Sequence, residues 1–492
     1  MSPSRLIQIF ATTVLFLTVT YWLLRPDSFS RIGSWHRPTV SRENLTLEVE
    51  ILKKLDVPAT FTYQRHCVRT REKQGLKRES LINLHRPLLS DTAVDITLDA
   101  KFVANPITEA VFPPCEETID LEVPEFSSHA HANTSALMLG VATTLKRIEA
   151  SIPAFSRWLS NTSSPLICLV VDQTNLTDKA NETARILSLA ADLNIDLVLE
   201  PYHPTFEFDS EGLKNFGLAP ILDKHRRPNT KWYGLIDDDT FFVSLPRMLE
   251  ALEPYDPTKQ HYIGALTEGH FRVAKEGFKA WGGAGFFISP PLMKLLAERT
   301  TECTHLDKFF GDILWRDCIL HVTSPTVHLT ELRGLNQMDL WMDMSGWYEA
   351  GFTPILTVHH WKSWHQYPIV RGHTVADVAG PDSFLQRYLF TNNTVFTNAY
   401  SIVKYPKGLP DLNLVEATMT EEVNHKDPPD VLEFHHSFGR TRPKLKKGKE
   451  KISWTFQYAV MDDGRVRQFY VNKGHGNAKK GFGIVEVDWT HG

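Results

Sequence analysis

Three acidic residues in a row, Asp237, Asp238 and Asp239, stand between the apolar run WYGLI and a second apolar run that begins TFFVSL. Adjacent carboxylates repel one another, and the end of a hydrophobic strand is a poor place to leave them uncompensated. A hard divalent cation such as Mn²⁺ or Mg²⁺ relieves the repulsion and can bridge to a diphosphate. Taken alone the triplet is equally a solvated acidic turn, so its companions matter. Forty-three residues past Asp239 comes GGAGFFIS, where Gly282 and Gly283 let the backbone approach a ligand or another strand closely. This is neither a G-x-G-x-x-G fingerprint nor a P-loop. Asp312 lies between Cys303 and Cys318, and ILTVHHW places His359 and His360 just past a predicted strand. Such a histidine serves structural roles too, but an imidazole can also join a carboxylate around a divalent cation.

A scaffold must position these groups, and the chain from His129 onward describes one. SALMLGVAT, PLICLVVD, IDLVLEP and KWYGLIDDDT read as strands, separated by the helical stretches TLKRIEASIPAFSRWL, ETARILSLAADL and EGLKNFGLAPILDKHR. This alternation predicts an α/β fold whose mostly parallel sheet carries helices on both faces. Ligands of such sheets bind beyond the carboxyl ends of the strands, where the aspartates stand. Upstream, Glu48–Leu55 and Arg71–Leu84 read as charged helical pieces of a stem or extension. Downstream, PKLKKGKEK reads as a linker. ISWTFQYAV, a turn at Asp462–Arg465 and VRQFYVN then form a β-hairpin, with GFGIVEVDW as a third strand. This is expected to be a small antiparallel unit packed on the main domain. Its aromatics Trp454, Phe456, Tyr458, Phe469 and Tyr470 suit a core better than a sugar-binding face.

Composition narrows the class. Lys and Arg number 53 against 58 Asp and Glu, a net charge of −5, which gives a nucleic-acid partner no support. Leu6–Leu24 is an uncharged stretch between Arg5 and Arg25, long enough for a membrane-spanning signal anchor and longer than a cleaved leader's apolar core. Asn44, Asn133, Asn161, Asn175, Asn181 and Asn392 each open an N-x-S/T sequon, which favours a lumenal body. Five cysteines fit that compartment. Cys303 and Cys318 could staple a loop, Cys67 with Cys115 is a second candidate pair, and Cys168 within PLICLVVD reads as a buried free thiol.

Jointly these motifs resemble the fringe-like β-1,3-glycosyltransferases of glycosyltransferase family 31, above all the core-1 β-1,3-galactosyltransferases. WYGLIDDDTFFVSL is similar to their D-D-D-T strand end and GGAGFFIS to their G-G-A-G segment. ECTHLDKFFGDILWRDC is similar to their cysteine-bracketed acid and TVHHW to their late histidine. The resemblance spans about Ser135 to Tyr405, and the carboxy-terminal segment suggests a fungal branch. It implies a GT-A type Rossmann-like domain that transfers a sugar from a UDP-sugar to a glycan or glycoprotein hydroxyl with inversion, in β-1,3 linkage. Mn²⁺ or another divalent cation would be the cofactor. By the same resemblance Asp239 and His359 hold the metal, with His360 as the alternative, Asp237 and Asp238 meet the nucleotide sugar, and Asp312 is the base. Thr143 either contacts the uridine side or caps the following helix. The implied organisation is a cytosolic tail (1–5), an anchor (6–24), a stem and extension (25–128), the transferase domain (129–405), a linker (406–450) and a β-rich segment (451–492). It corresponds to a single-pass type II protein of the Golgi or endoplasmic reticulum.

One position departs from the family pattern. Gly311 replaces a glutamate before the base, leaving Asp317 as a spare acid and a catalytically silent sugar- or nucleotide-sugar-binding relative as the alternative. A metal-dependent hydrolase built on the same acids would normally want a richer ligand set.

Overall fold

The computed structural model describes residues 44–89, 93–97, 113–115, 117–126, 133–203, 210–306, 310–421, 439–474 and 481–492. The expected anchor, Leu6–Leu24, lies outside the described residues. Among those described, no helix is long and apolar enough to cross a membrane. Residues from Val49 onward form one compact unit. Of the unit before it, only the start of helix Asn44–Lys54 is described.

The aspartates sit on a seven-stranded sheet. Its order is Leu329–Glu331, Tyr262–Gly264, Phe286–Ile288, Trp232–Ile236, Leu137–Thr143, Leu166–Val170 and Leu197–Pro201. The last four strands are parallel, as expected. Phe286–Ile288 runs antiparallel to both of its neighbours and makes the sheet mixed. Alternate side chains feed two cores. Leu137, Leu139 and Val141 pack with Ile148 and Trp158 of helix Leu145–Leu159. Met138, Ile167 and Leu169 pack on the other face with Phe216, Leu222 and Trp315. Burial on both faces is why these strands read as unbroken apolar runs. The stretch EGLKNFGLAPILDKHR forms two helices, Glu211–Phe216 and Leu218–Lys224, rather than one. Pro220 has no N–H, and its ring would collide with the carbonyl of Phe216 in a continuous helix.

A second sheet of ten strands unites regions far apart in sequence. Its path runs Ile82–Asn83, Arg387–Phe390, Thr394–Thr397, Ser401–Lys404, Ile452–Asp462, Arg465–Asn472, Gly483–His491, Thr60–Lys73 and Val94–Thr97, and Thr118–Pro124 also pairs with Thr60–Lys73. The helix expected over Arg71–Leu84 is absent, because Thr60–Lys73 is a strand bound in parallel to Gly483–His491. The carboxy-terminal strands are likewise not a separate antiparallel unit packed on the main domain. They are the middle of a sheet whose two sides come from the upstream extension and from residues 387–404. The hairpin turn is as expected, with Asp463 and Gly464 both at positive φ. Phe456, Phe469 and Tyr470 are core residues.

Glu486 fixes the register between the two ends of the chain. It is fully buried and accepts hydrogen bonds from the Tyr63 hydroxyl, Arg65 Nε at 2.9 Å and Arg467 Nε at 2.6 Å. Burial favours its neutral form, but Arg467 and Arg65 outweigh that and hold its carboxyl below the usual range. The Cys67–Cys115 and Cys303–Cys318 disulfides are both present, and Cys168 is free and buried.

If the carboxy-terminal strands are integral, emptying their core must destabilise everything. Trp489 is 0 % exposed. Trp489→Ala is expected to cost about 3–5 kcal/mol in a single denaturant transition that includes the aspartate-bearing sheet. A separate early transition, leaving that sheet intact, would contradict this.

Candidate active site

A two-residue ladder assembles the site. Thr357–Val358 pairs antiparallel with Phe241–Phe242, with Val358 opposite Phe241. Asp239, two residues before Phe241, therefore meets His359, one residue after Val358. His359 Nε2 lies 3.0 Å from Asp239 Oδ1 and 3.6 Å from Asp237 Oδ2. The turn that follows continues the clasp: the Ser363 hydroxyl donates to Asp239 Oδ2 at 2.8 Å, and Lys362 Nζ reaches the Asp238 carboxylate at 2.9 Å.

The three carboxylates have three different fates. Asp238 turns inward, accepting from the Thr143 hydroxyl and from Arg147 Nη2 at 2.8 Å. Its side chain is 1 % exposed. Asp238 and Thr143, both expected at the nucleotide sugar, are bonded to each other, and the Asp238 carboxylate also meets Arg147 and Lys362. The helix cap is the adjacent Thr144. Asp239 is buried beside His359, and although burial opposes its charge, His359 and the Ser363 hydroxyl hold its carboxyl well below the usual range. Asp237 is the open one of the three, with 43 % of its side chain exposed. Desolvation, then the like charges of Asp239, Asp312 and Asp238, push its carboxyl up to about 7 against the pull of His359. With so much of the side chain in solvent, the crowding of like charges is the firmer cause.

Two imidazoles complete a ligand set. His359 Nδ1 is 2.8 Å from the carbonyl oxygen of Gln337, which can only accept, so that nitrogen carries a proton and Nε2 faces Asp239. In the cation-free protein burial favours the neutral His359 ring, but Asp239 and Asp237 outweigh this and raise its pKa to about 9. His360 Nε2 is 3.1 Å from Asp339 Oδ1, and its Nδ1 lies 3.1 Å from the Ser363 hydroxyl and 3.9 Å from Asp239 Oδ2. Asp239, His359 and His360 thus offer ligand atoms within 4.8 Å of one another. One carboxylate and two oriented imidazoles fit a divalent cation. Asp339 is itself held by Thr267 Oγ1 at 2.9 Å and Gln337 Nε2 at 3.2 Å.

The glycine pair makes room for this group and for Asp312. A Cβ on Gly283 would lie 2.0 Å from His359 Cε1, and one on Gly282 would lie 2.8 Å from Asp312 Oδ1. The Gly282 N–H donates to Asp312 Oδ1 at 3.1 Å. Asp312 stands in the first turn of helix Gly311–Val322, which the Cys303–Cys318 bridge ties to helix Thr300–Cys303. Its other oxygen is 3.4 Å from Lys279 Nζ, a buried ammonium that also lies 3.2 Å from the centre of the Trp281 ring. Asp312, Lys279, Trp281, Arg272, Asn215 and Phe310 help line a cleft of about 280 Å³. Gly311 has its own reason: a Cβ there would come within 3.0 Å of Asn215. Asp317 pairs with Arg316 at 2.7 Å.

Sequence reasoning missed Arg147, Lys362, Lys279 and Asp339. Lys362 and Ser363 carried a faint signal, being within four residues of His359 in HHWKSW.

A family model described as "Protein of unknown function, DUF604" matches residues 275–377, a span holding the glycine pair, Asp312 and both histidines. No curated protein matches the chain. Partial likenesses are found among solved structures. Mouse xyloside xylosyltransferase 1 is 11% identical over 39% of this chain and 84% of its own, with a TM-score of 0.27. The galactosyltransferase LgtC, solved with donor and acceptor sugar analogues, is 11% identical over 45% of this chain and 86% of its own, at 0.28. A mannosyltransferase from Pyrobaculum calidifontis, in complex with GDP-Man and Mn²⁺, is 15% identical over 33% of this chain and 46% of its own, at 0.23. The chemistry of this chain rests on its own residues.

Asp339 touches no ligand atom of Asp239 but sets which nitrogen His360 presents. Asp339→Asn is expected to weaken Mn²⁺ binding about 10- to 100-fold by isothermal titration, with the melting temperature little changed. Unaltered affinity would remove His360 from the ligand set.

Proposed function

We propose that the protein is a metal-dependent inverting glycosyltransferase that moves a sugar from a UDP-sugar to a hydroxyl of a glycan or glycoprotein. The observation carrying this reading is the placement of Asp312. A carboxylate with one oxygen on a backbone N–H and the other beside a buried ammonium borders a cleft, across the glycine pair from the Asp239–His359–His360 group. The resemblance to fringe-like β-1,3-transferases supports the same roles and the β-1,3 linkage.

Asp239, His359 and His360 would hold a divalent cation, Mn²⁺ in this reading, which supplies Lewis-acid stabilisation of the leaving diphosphate. Asp237, partly exposed beside Gly282, meets the donor; Asp238 and Thr143 support the turn from behind. Asp312 takes the proton of the acceptor hydroxyl as that oxygen bonds to the anomeric carbon. The bond from that carbon to the UDP oxygen breaks on the opposite face, and UDP leaves with the electron pair. No covalent intermediate is needed, so one base suffices.

A panel of UDP-sugars with Mn²⁺, followed by UDP release, tests the reading. Asp312→Asn should lower kcat by about 10²-fold or more while UDP·Mn²⁺ affinity stays near wild type. Binding of UDP and Mn²⁺ without turnover of any donor would instead identify a silent binding relative. Absence of UDP·Mn²⁺ binding would remove the nucleotide-sugar reading altogether.

We place the body of the protein in the lumen of the Golgi or endoplasmic reticulum, anchored through Leu6–Leu24. Two disulfides support an oxidising compartment, and the sequon asparagines Asn133, Asn161, Asn175, Asn181 and Asn392 are all exposed. Endoglycosidase treatment of the protein from a eukaryotic host should lower its apparent mass; no shift would argue against that orientation.

A further inference from the structure

A column of aromatic rings runs from the candidate metal group to the surface. His359 and His360 have ring centres 3.7 Å apart. His360 stacks on Trp364 at 3.7 Å with planes 9° apart, and Trp364 stacks on Trp341 at 4.5 Å and 16°. The column ends at Trp341, which is 40 % exposed, next to Met342 at 77 %. Both segments that build it carry unusual backbone. Met338 and Met342 flank Trp341 at φ 60° and 72°, and His360 and Gln366 bracket Trp364 at φ 54° and 49°. Non-glycine residues in this region are costly and persist where the surrounding structure imposes them, often at functional sites. Leu340, fully buried, anchors the Leu340–Met342 strand, which pairs with Met419–Glu421. The outer indole is therefore a rigid, flat, apolar surface held at a fixed place relative to His360.

We propose that the exposed face of Trp341, with Met342 beside it, is a platform for a pyranose ring of a saccharide, and that it holds a part of the acceptor away from the reacting hydroxyl. This rests on the glycosyltransferase reading for its role, though not for its chemistry. A pyranose offers one C–H face and a rim of hydroxyls. Trp341 offers one flat face, and polar residues follow closely along both segments: Asp343, two positions past Trp341 and paired with Lys447 at 2.7 Å and Lys444 at 3.6 Å, and the exposed Gln366, two positions past Trp364. An acyl chain would find a single indole face too small. The rings behind Trp341 reduce the entropy lost on binding, because the platform is already ordered.

The test uses the protein without nucleotide or metal. With 5-fluorotryptophan in place of its 12 tryptophans, Trp341→Phe assigns the Trp341 resonance. Lactose, cellobiose and N,N′-diacetylchitobiose are then titrated separately. At least one should shift the Trp341 and Trp364 resonances, and Trp341→Ser should weaken that disaccharide about tenfold or more while UDP·Mn²⁺ binding and the melting temperature hold. Trp341→Phe, which keeps a smaller flat ring, should retain part of the affinity and guards against loss of fold in the serine variant. The platform is overturned if none of the three disaccharides moves Trp341, or if binding survives in Trp341→Ser. It is also overturned if the serine variant loses UDP·Mn²⁺ as strongly as it loses the disaccharide, which would put the indole in the donor site. A disaccharide that binds at Trp341 in a protein with no affinity for UDP·Mn²⁺ would leave the platform standing and end the glycosyltransferase reading.

Discussion

The contact between His359 and Asp239 is the constraint around which the site is arranged. Three carboxylates on one turn at the end of a buried strand would drive that turn apart. The turn Asp237–Thr240 and the turn His359–Ser363 are therefore built against each other, one supplying negative charge and the other supplying an imidazole, a hydroxyl and an ammonium. Their separation is set by the short ladder between Phe241–Phe242 and Thr357–Val358. The space between them exists because Gly283 lacks a side chain. Thr240 adds a tie from the same turn, its hydroxyl donating to the Gly283 carbonyl at 2.9 Å. Moving any one of these parts would leave a buried charge without its complement, which is more costly than never having had the pair.

The same economy governs how positive charge is distributed. Arg147, from the helix, and Lys362, from the turn after His359, together neutralise Asp238. Lys279 does the corresponding work for Asp312, its ammonium covered by the Trp281 face and also 3.4 Å from Glu276. Asp237 is left as the acid facing open space. Lys279 and Arg272 share the cleft wall with Asp312, so that wall is of mixed charge, whereas Asp239 with His359 and His360 forms the group suited to a divalent cation.

The features legible in the sequence were those that depend on near neighbours. The Asp triplet follows a strand whose apolar run is unambiguous, the glycine pair announces a close approach, and the histidines end a second apolar run. What each group does depended on contacts that no local pattern encodes. Asp238 looks identical to Asp237 in the sequence, yet a helix residue 91 positions away decides that it faces inward. Gly311 looked like a lost catalytic acid, and only the structure shows Asn215, on another helix, standing 3.0 Å from where a Cβ would be. The strand Thr60–Lys73 was hidden for the same reason: its charged, alternating sequence also suits a surface helix, and its partner lies near the far end of the chain.

That last pairing bears on how the molecule is made. Tyr63 and Glu486 are 423 residues apart, yet the strands that carry them lie side by side inside the larger sheet. A chain made from its amino terminus presents Thr60–Lys73 long before Gly483–His491 exists. The early strand must wait with an unpaired edge while the aspartate-bearing sheet, whose parallel strands lie between Leu137 and Ile236, can condense behind it. Such an edge invites pairing with another chain. The interval between its emergence and its capture is thus built into the topology, since the larger sheet can close only once Gly483–His491 has been made.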